Sequence, residues 1–164
     1  MAENWQSEFL QFTLFFLASI WLFQRGSAES GEESRLGLGD DQEEKTGRHA
    51  ADTSPALARI GGLATSLYSN SLCLAMTLLF IGSWLAQSVA GWAVYNADQR
   101  DHDEATVSWA GYLGSPDFWE RSFQNWQSEF MAVATIALLS IYLRQRGSHD
   151  SKRVGEPHAK TGTS

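Results

Sequence analysis

Three stretches of this chain, residues 9–23, 72–95 and 130–143, contain no lysine, arginine, aspartate or glutamate. Runs of this kind leave few folds open, because each must be kept from water along its length. The middle run, LCLAMTLLFIGSWLAQSVAGWAVY, is 24 residues long. A bilayer core of about 30 Å needs roughly 20 helical residues, so this run spans easily. The outer runs, FLQFTLFFLASIWLF and FMAVATIALLSIYL, are 15 and 14 residues long. As helices they reach only about 22 and 21 Å, too short unless their flanks extend them.

Those flanks are the same. NWQSEF stands at Asn4–Phe9 and again at Asn125–Phe130. Adding WQSE gives Trp5–Phe23 and Trp126–Leu143, 19 and 18 residues, which span with little tilt. The hexapeptide then reads as a membrane-entry turn, with Trp5 and Trp126 as anchors in the interfacial aromatic belt. Glu8 and Glu129 follow about one turn further in. A helix amino end favours a carboxylate there, because its free N–H groups and macrodipole are positive.

A shift of 121 residues aligns Asn4–Ser30 with Asn125–Ser151 without a gap, and 15 of the 27 positions are identical. That density indicates an internal duplication. One apolar run separates the copies, so both cross the bilayer in the same direction and the repeat is parallel, not inverted. Each copy ends in QRGS, at Gln24–Ser27 and Gln145–Ser148. There Arg25 and Arg146 snorkel to headgroups, and Gly26 and Gly147 are available as helix C-caps.

A soluble helical core is the alternative. The net charge of −7 and mean hydropathy of −0.25 describe an ordinary acidic protein, but the average hides segregation. Eight of the 19 acids lie in residues 28–53, while the Trp-flanked runs would give a soluble bundle no polar outer faces. The first run also lacks the basic start and cleavage site of a signal peptide, so it reads as a retained span. Outside the spans, ten Lys and Arg lie on one side and two, Arg100 and Arg121, on the other. The amino terminus is therefore expected outside and the carboxyl terminus in the cytoplasm.

The phrases Gly91-Trp92-Ala93-Val94-Tyr95-Asn96, Phe118–Phe130 (FWERSFQNWQSEF) and Gln145–Lys152 (QRGSHDSK) resemble those of an uncharacterised bacterial integral-membrane family, a domain of unknown function. The resemblance covers nearly the whole chain outside the linker. It implies a bacterial plasma-membrane protein and supplies no activity or ligand. In the family pattern a unit is a span ending in GWxxYN, a loop, then the NWQSEF span. Residues 67–151 form one complete unit, whereas the amino-terminal unit has only its last span. Either a helix has been lost or an upstream span is missing from the chain start.

Glu8 and Glu129 are the leading functional candidates, since ionisable groups near a membrane core are functional by default. Gln6 and Gln127 accompany them. Gln87 lies about 12 Å in from Tyr95 on its helix and is placed to meet them from a neighbouring span. Two carboxylates at equal depth on parallel helices suit proton sharing or cation binding; the plainer reading is a capped or solvated structural carboxylate. Gly82, Ala86 and Ala90 recur every fourth residue, a spacing that permits close helix packing, with Ser83, Gln87 and Gly91 one step round.

Other chemistry is not indicated. His49, His102, His149 and His158 sit in polar loops or tails, so no metal site and no cofactor are expected. Cys73 reads as a small apolar filler. No basic stripe marks a nucleic-acid partner, and no nucleophile–base pair marks an enzyme. The loop Ala97–Glu104 reads as solvated.

The expected architecture is all-α, an integral membrane protein with three transmembrane helices. Residues 1–27 hold the first span and 28–53 an acidic disordered linker. Residues 54–151 form a complete unit with spans at about 71–95 and 126–144, and 152–164 a disordered tail. Short interfacial helices are expected at TSPALARIGGLATSLY, capped by Ser54, and at SPDFWERSFQ, capped by Ser115 with Pro116 in first position. Three helices bury little surface, so the partners expected are the lipid bilayer and either a second copy or another membrane protein. A scaffold or accessory subunit is the leading functional expectation, and a small proton or cation transporter using Glu8 and Glu129 its rival.

Overall fold

The computed structural model describes residues 2–27, 30, 36–148 and 150–162. His149 and linker positions 28, 29 and 31–35 lie outside the described residues. The described chain is all-helical, with no strand. Its helices are α1 (Ala2–Trp21), a 3₁₀ turn (Gly47–His49), α2 (Ala56–Ile60), α3 (Gly62–Ser69), α4 (Ser71–Asp101), α5 (Trp109–Leu113) and α6 (Pro116–Tyr142).

Helix ends follow local chemistry. α6 starts where Ser115 Oγ accepts from the Phe118 N–H at 3.4 Å, with Pro116 at the first helical position, where its missing N–H costs nothing. No glycine or proline follows until Gly147. The ladder therefore runs unbroken for 27 residues, and the interfacial helix expected at SPDFWERSFQ is simply the first part of α6. The stretch expected as one helix after Ser54 is two, α2 and α3, because Gly61 and Gly62 adopt φ of +80° and +66°. Thr65 Oγ1 staples that break, accepting from Gly61 N–H at 2.8 Å and donating to Leu57 C=O at 2.7 Å. Ser54 does not cap α2; its Oγ accepts from Ala51 N–H.

α4 alone among the described helices is long and apolar enough to cross a membrane by length and composition, with a mean hydropathy of 1.7. α1 and α6 have the length but not the mean apolarity. Where the expectation was three such helices, composition by itself supports one, because Asn, Gln, Ser and Glu of the NWQSEF turns dilute the other two.

Burial is inverted relative to a water-soluble bundle. The buried side chains of α1 are Gln6, Ser7 and Thr13, and those of α4 are Gln87, Ser88 and Asn96. Large apolar side chains face outward, Leu78 at 69% and Leu138 at 60% exposure among them. The buried hydroxyls of α1 and α4 are satisfied within their own helices: Ser7 donates to Asn4 C=O, Thr13 to Phe9 C=O and Ser88 to Leu85 C=O, all within 2.8 Å. A helix can bury such residues without help from a neighbour.

The chain divides into two compact units. The first comprises Met1–Thr13 and Met76–Ala132. It is organised around Phe118 and Tyr112, both essentially fully buried. Phe118 lies 5.4 Å from Trp84 and 5.6 Å from Tyr112, ring centre to ring centre.

The second unit comprises Leu14–Ala75 and Val133–Ser164. There the Lys152 ammonium is buried and donates to the carbonyls of Gly26, His158 and Lys160 at 2.7, 2.9 and 3.1 Å. Thr161 Oγ1 accepts from Gly26 N–H, and Ser27 C=O from Gly162 N–H, both at 3.0 Å. Burial pushes the Lys152 ammonium below the usual lysine range, helped by nearby Arg144 and opposed by Glu156.

Candidate functional site

The richest polar constellation lies in the first unit, at the carboxyl-terminal half of α4. Positions 84, 87, 88, 91, 92, 95 and 96 of a helix share one broad face. Asn96 clamps the following loop by mimicking a peptide: its Nδ2 donates to Val107 C=O and its Oδ1 accepts from Val107 N–H, both at 2.9 Å. Trp92 Nε1 donates to the same carbonyl at 2.8 Å. The loop then delivers Trp109, whose Nε1 donates to Ser88 Oγ at 3.1 Å, and α5, whose Tyr112 ring lies against Gly91. A Cβ at position 91 would run into the Tyr112 hydroxyl. Glycine is therefore required there by close approach, not by backbone conformation.

Tyr112 leads on to charge. Its hydroxyl donates to Asp117 Oδ2 at 3.1 Å, and Arg121 Nε donates to the same oxygen at 3.0 Å. Arg121 also faces Glu3 of α1 at 3.8 Å. Burial, then the Asp117 hydrogen bond, pushes the Tyr112 phenol up to about 12. The same carboxylate holds Arg121 firmly protonated. Beside this relay lies a cavity of about 220 Å³ whose walls include Glu3, Gln87, Gly91, Val94 and Arg121. Gln87 is 3% exposed and neither amide atom has a hydrogen-bond partner. Such a group carries a desolvation cost unless water or a ligand meets it.

The residues singled out in the sequence are separated by this arrangement. Gln6 and Gln87 are buried. Glu8 and Gln127 are exposed and Glu129 is half-buried. Among the described residues no hydrogen bond joins Glu8 or Glu129 to Gln87. Gln6 Oε1 instead accepts from Trp126 Nε1 at 2.6 Å. Trp126 is thereby a half-buried packing residue, whereas Trp5 is 54% exposed. Arg25 and Arg146 are exposed.

Gly82, Ala86 and Ala90 lie on the exposed side of α4, and nothing approaches Gly82. The packed face is the adjoining one, through Trp84, Gln87, Ser88 and Gly91, because the aromatic side chains of α5 and α6 need its width. Glu3, Asp117 and Arg121 were not legible as a group: the contact between Glu3 and Arg121 falls outside the repeated segments. The i, i+4 pair of Trp92 and Asn96 was the available signal for the loop clamp.

No curated protein matches the chain, and no solved structure does. The model of one protein family, described as a domain of unknown function (DUF6766), matches residues 1–163. By that match over nearly its full length, the chain belongs to this family of unknown function.

Proposed function

We propose that the protein is a non-enzymatic membrane protein that crosses the bilayer three times, through α1, α4 and α6, and serves as a scaffold or accessory subunit. The observation that carries this reading is the inverted burial: α1 and α4 bury only polar side chains while leucines and phenylalanines face outward. In water such a surface would be a large exposed apolar patch; in lipid it is matched to its solvent. Part of the low mean apolarity of α1 fits as well, since Gln6, Ser7 and Thr13 turn inward, while exposed Asn4 and Glu8 lie in its first two turns. At 20 residues α1 is about 30 Å long, the thickness of a bilayer core.

The proposed setting is a bacterial plasma membrane with the amino terminus outside. Two measurements test it. The chain should stay in the membrane pellet after an alkaline carbonate wash. With Cys73 replaced by serine, a cysteine at Asp101 should react with an impermeant maleimide in intact cells, and one at Gly155 only after permeabilisation. Release of the chain into the supernatant would overturn the reading.

The transporter reading has one observation in its favour, the unpartnered Gln87 amide at the 220 Å³ cavity. It requires that Glu8→Gln with Glu129→Gln abolish proton or cation flux in reconstituted vesicles; a scaffold has no flux to lose.

A further inference from the structure

The NWQSEF joint within the chain is directional. Trp126 of the second copy donates to Gln6 of the first at 2.6 Å. Tryptophan and glutamine are neighbours in the hexapeptide, so on a helix they point about 100° apart. Each copy thus presents a donor face, headed by Trp, and an acceptor face, headed by Gln. One joint uses the Trp face of the second copy and the Gln face of the first. It leaves two faces over: Trp5 on α1 and Gln127 on α6.

Both leftover faces are open. Trp5 is 54% exposed and Gln127 is exposed, and neither makes a hydrogen bond among the described residues. The apolar company differs in the same way. Trp126 packs on Phe80 and Phe123, at 6.5 and 5.3 Å between ring centres, while Trp5 is 54% exposed. Burial of Gln6 and Ser7 on the first copy, against exposure of Gln127 and Ser128 on the second, shows that identical hexapeptides are used on different faces.

We infer that the occupant of these faces is a second copy of this chain, with Trp5 of each protomer donating to Gln127 of the other. This deepens the scaffold reading and rests on it. A head-to-tail interface either closes into a ring or grows without end. Faces about 100° apart correspond to a ring of about four helices, which two protomers supply from their four NWQSEF copies. The assembly is therefore a closed dimer, formed by repeating between chains the joint already made within one.

The test uses the full chain with Cys73→Ser, in lipid nanodiscs. Trp5→Cys and Gln127→Cys are placed in separate, differently tagged chains and treated with a short bis-maleimide. The mixed pair should cross-link, and neither variant should cross-link to itself. Gln127→Leu should halve the particle mass with helicity unchanged. Cross-linking of Trp5→Cys to itself, or a Gln127→Leu protein that keeps its dimeric mass, would overturn the joint. A wild-type chain that is monomeric in the bilayer overturns the dimer and leaves the membrane reading standing. A chain that never enters the bilayer removes both.

Discussion

The two copies of the repeated segment share a set of short-range bonds and disagree in what surrounds them. Ser7 Oγ donates to Asn4 C=O and Ser128 Oγ to Asn125 C=O. Ser19 donates to Phe16 C=O and Ser140 to Ala137 C=O. At the QRGS turns, Gln24 N–H donates to Ser30 Oγ at 3.0 Å and Gln145 N–H to Ser151 Oγ at 2.9 Å. Gly26 and Gly147 have φ of +83° and +86°. Yet Gln6 is buried and Gln127 exposed, and Trp5 is far more exposed than Trp126. The lesson is that a repeated sequence repeats its local bonds, while burial belongs to the position each copy occupies.

The largest test of that separation is at the turn glycines. Alanine in the left-handed region costs about 1–2 kcal/mol, and Gly147→Ala, with open space around it, should lose about that much. Gly26→Ala should lose about 1 kcal/mol more, since its Cβ meets the His158 carbonyl and overpacking adds to the strain. Thermal unfolding in detergent reads both; equal losses would erase the distinction between the copies.

The glutamines come next. Gln6→Leu removes the acceptor of the half-buried Trp126 indole N–H and should cost the fold about 1 kcal/mol. Gln127→Leu, on an exposed face, should change monomer stability by less than about 0.5 kcal/mol.

The smallest effect is in pH. The Tyr112 phenol is raised from 10.0 to about 12, so the folded state keeps a proton that the unfolded state loses. Its contribution is complete below pH 10 and is lost as pH rises from 10 toward 12. Over the first pH unit above 10, stability should fall by about 0.5–1 kcal/mol, discounted for partial screening. Ultraviolet titration should show one of the four tyrosines ionising late, and Tyr112→Phe should remove that step.

How much could be read beforehand varies with range. The Ser115–Pro116 start of α6 was legible, because it closes through bonds a few residues apart. Gly26 and Gly147 do not cap their helices as expected: α1 ends at Trp21 and α6 at Tyr142, and each glycine sits in a later turn closed by Ser27 N–H to Gln24 C=O or Ser148 N–H to Gln145 C=O. The Gly61-Gly62 break between α2 and α3 was readable in principle, yet the apolar pattern on either side concealed it. Gly82, Ala86 and Ala90 describe a helix that permits close packing without saying which neighbour arrives, and within this chain the adjoining row is the one that is covered. Gly91 packs instead, and Tyr112 arrives from α5, 21 residues later in the chain.

The sequence by itself determined that the described chain is helical, where its apolar runs lie, and which local bonds the two copies share. These depend on hydrogen bonds and caps within about one or two helical turns. Only the tertiary structure decided that Gln6 is buried while Gln127 is not, that Glu3 meets Arg121, and that Lys152 is enclosed by the Gly26, His158 and Lys160 carbonyls. Those contacts join residues far apart in the chain, and no local rule carries the position of a neighbour that has yet to arrive.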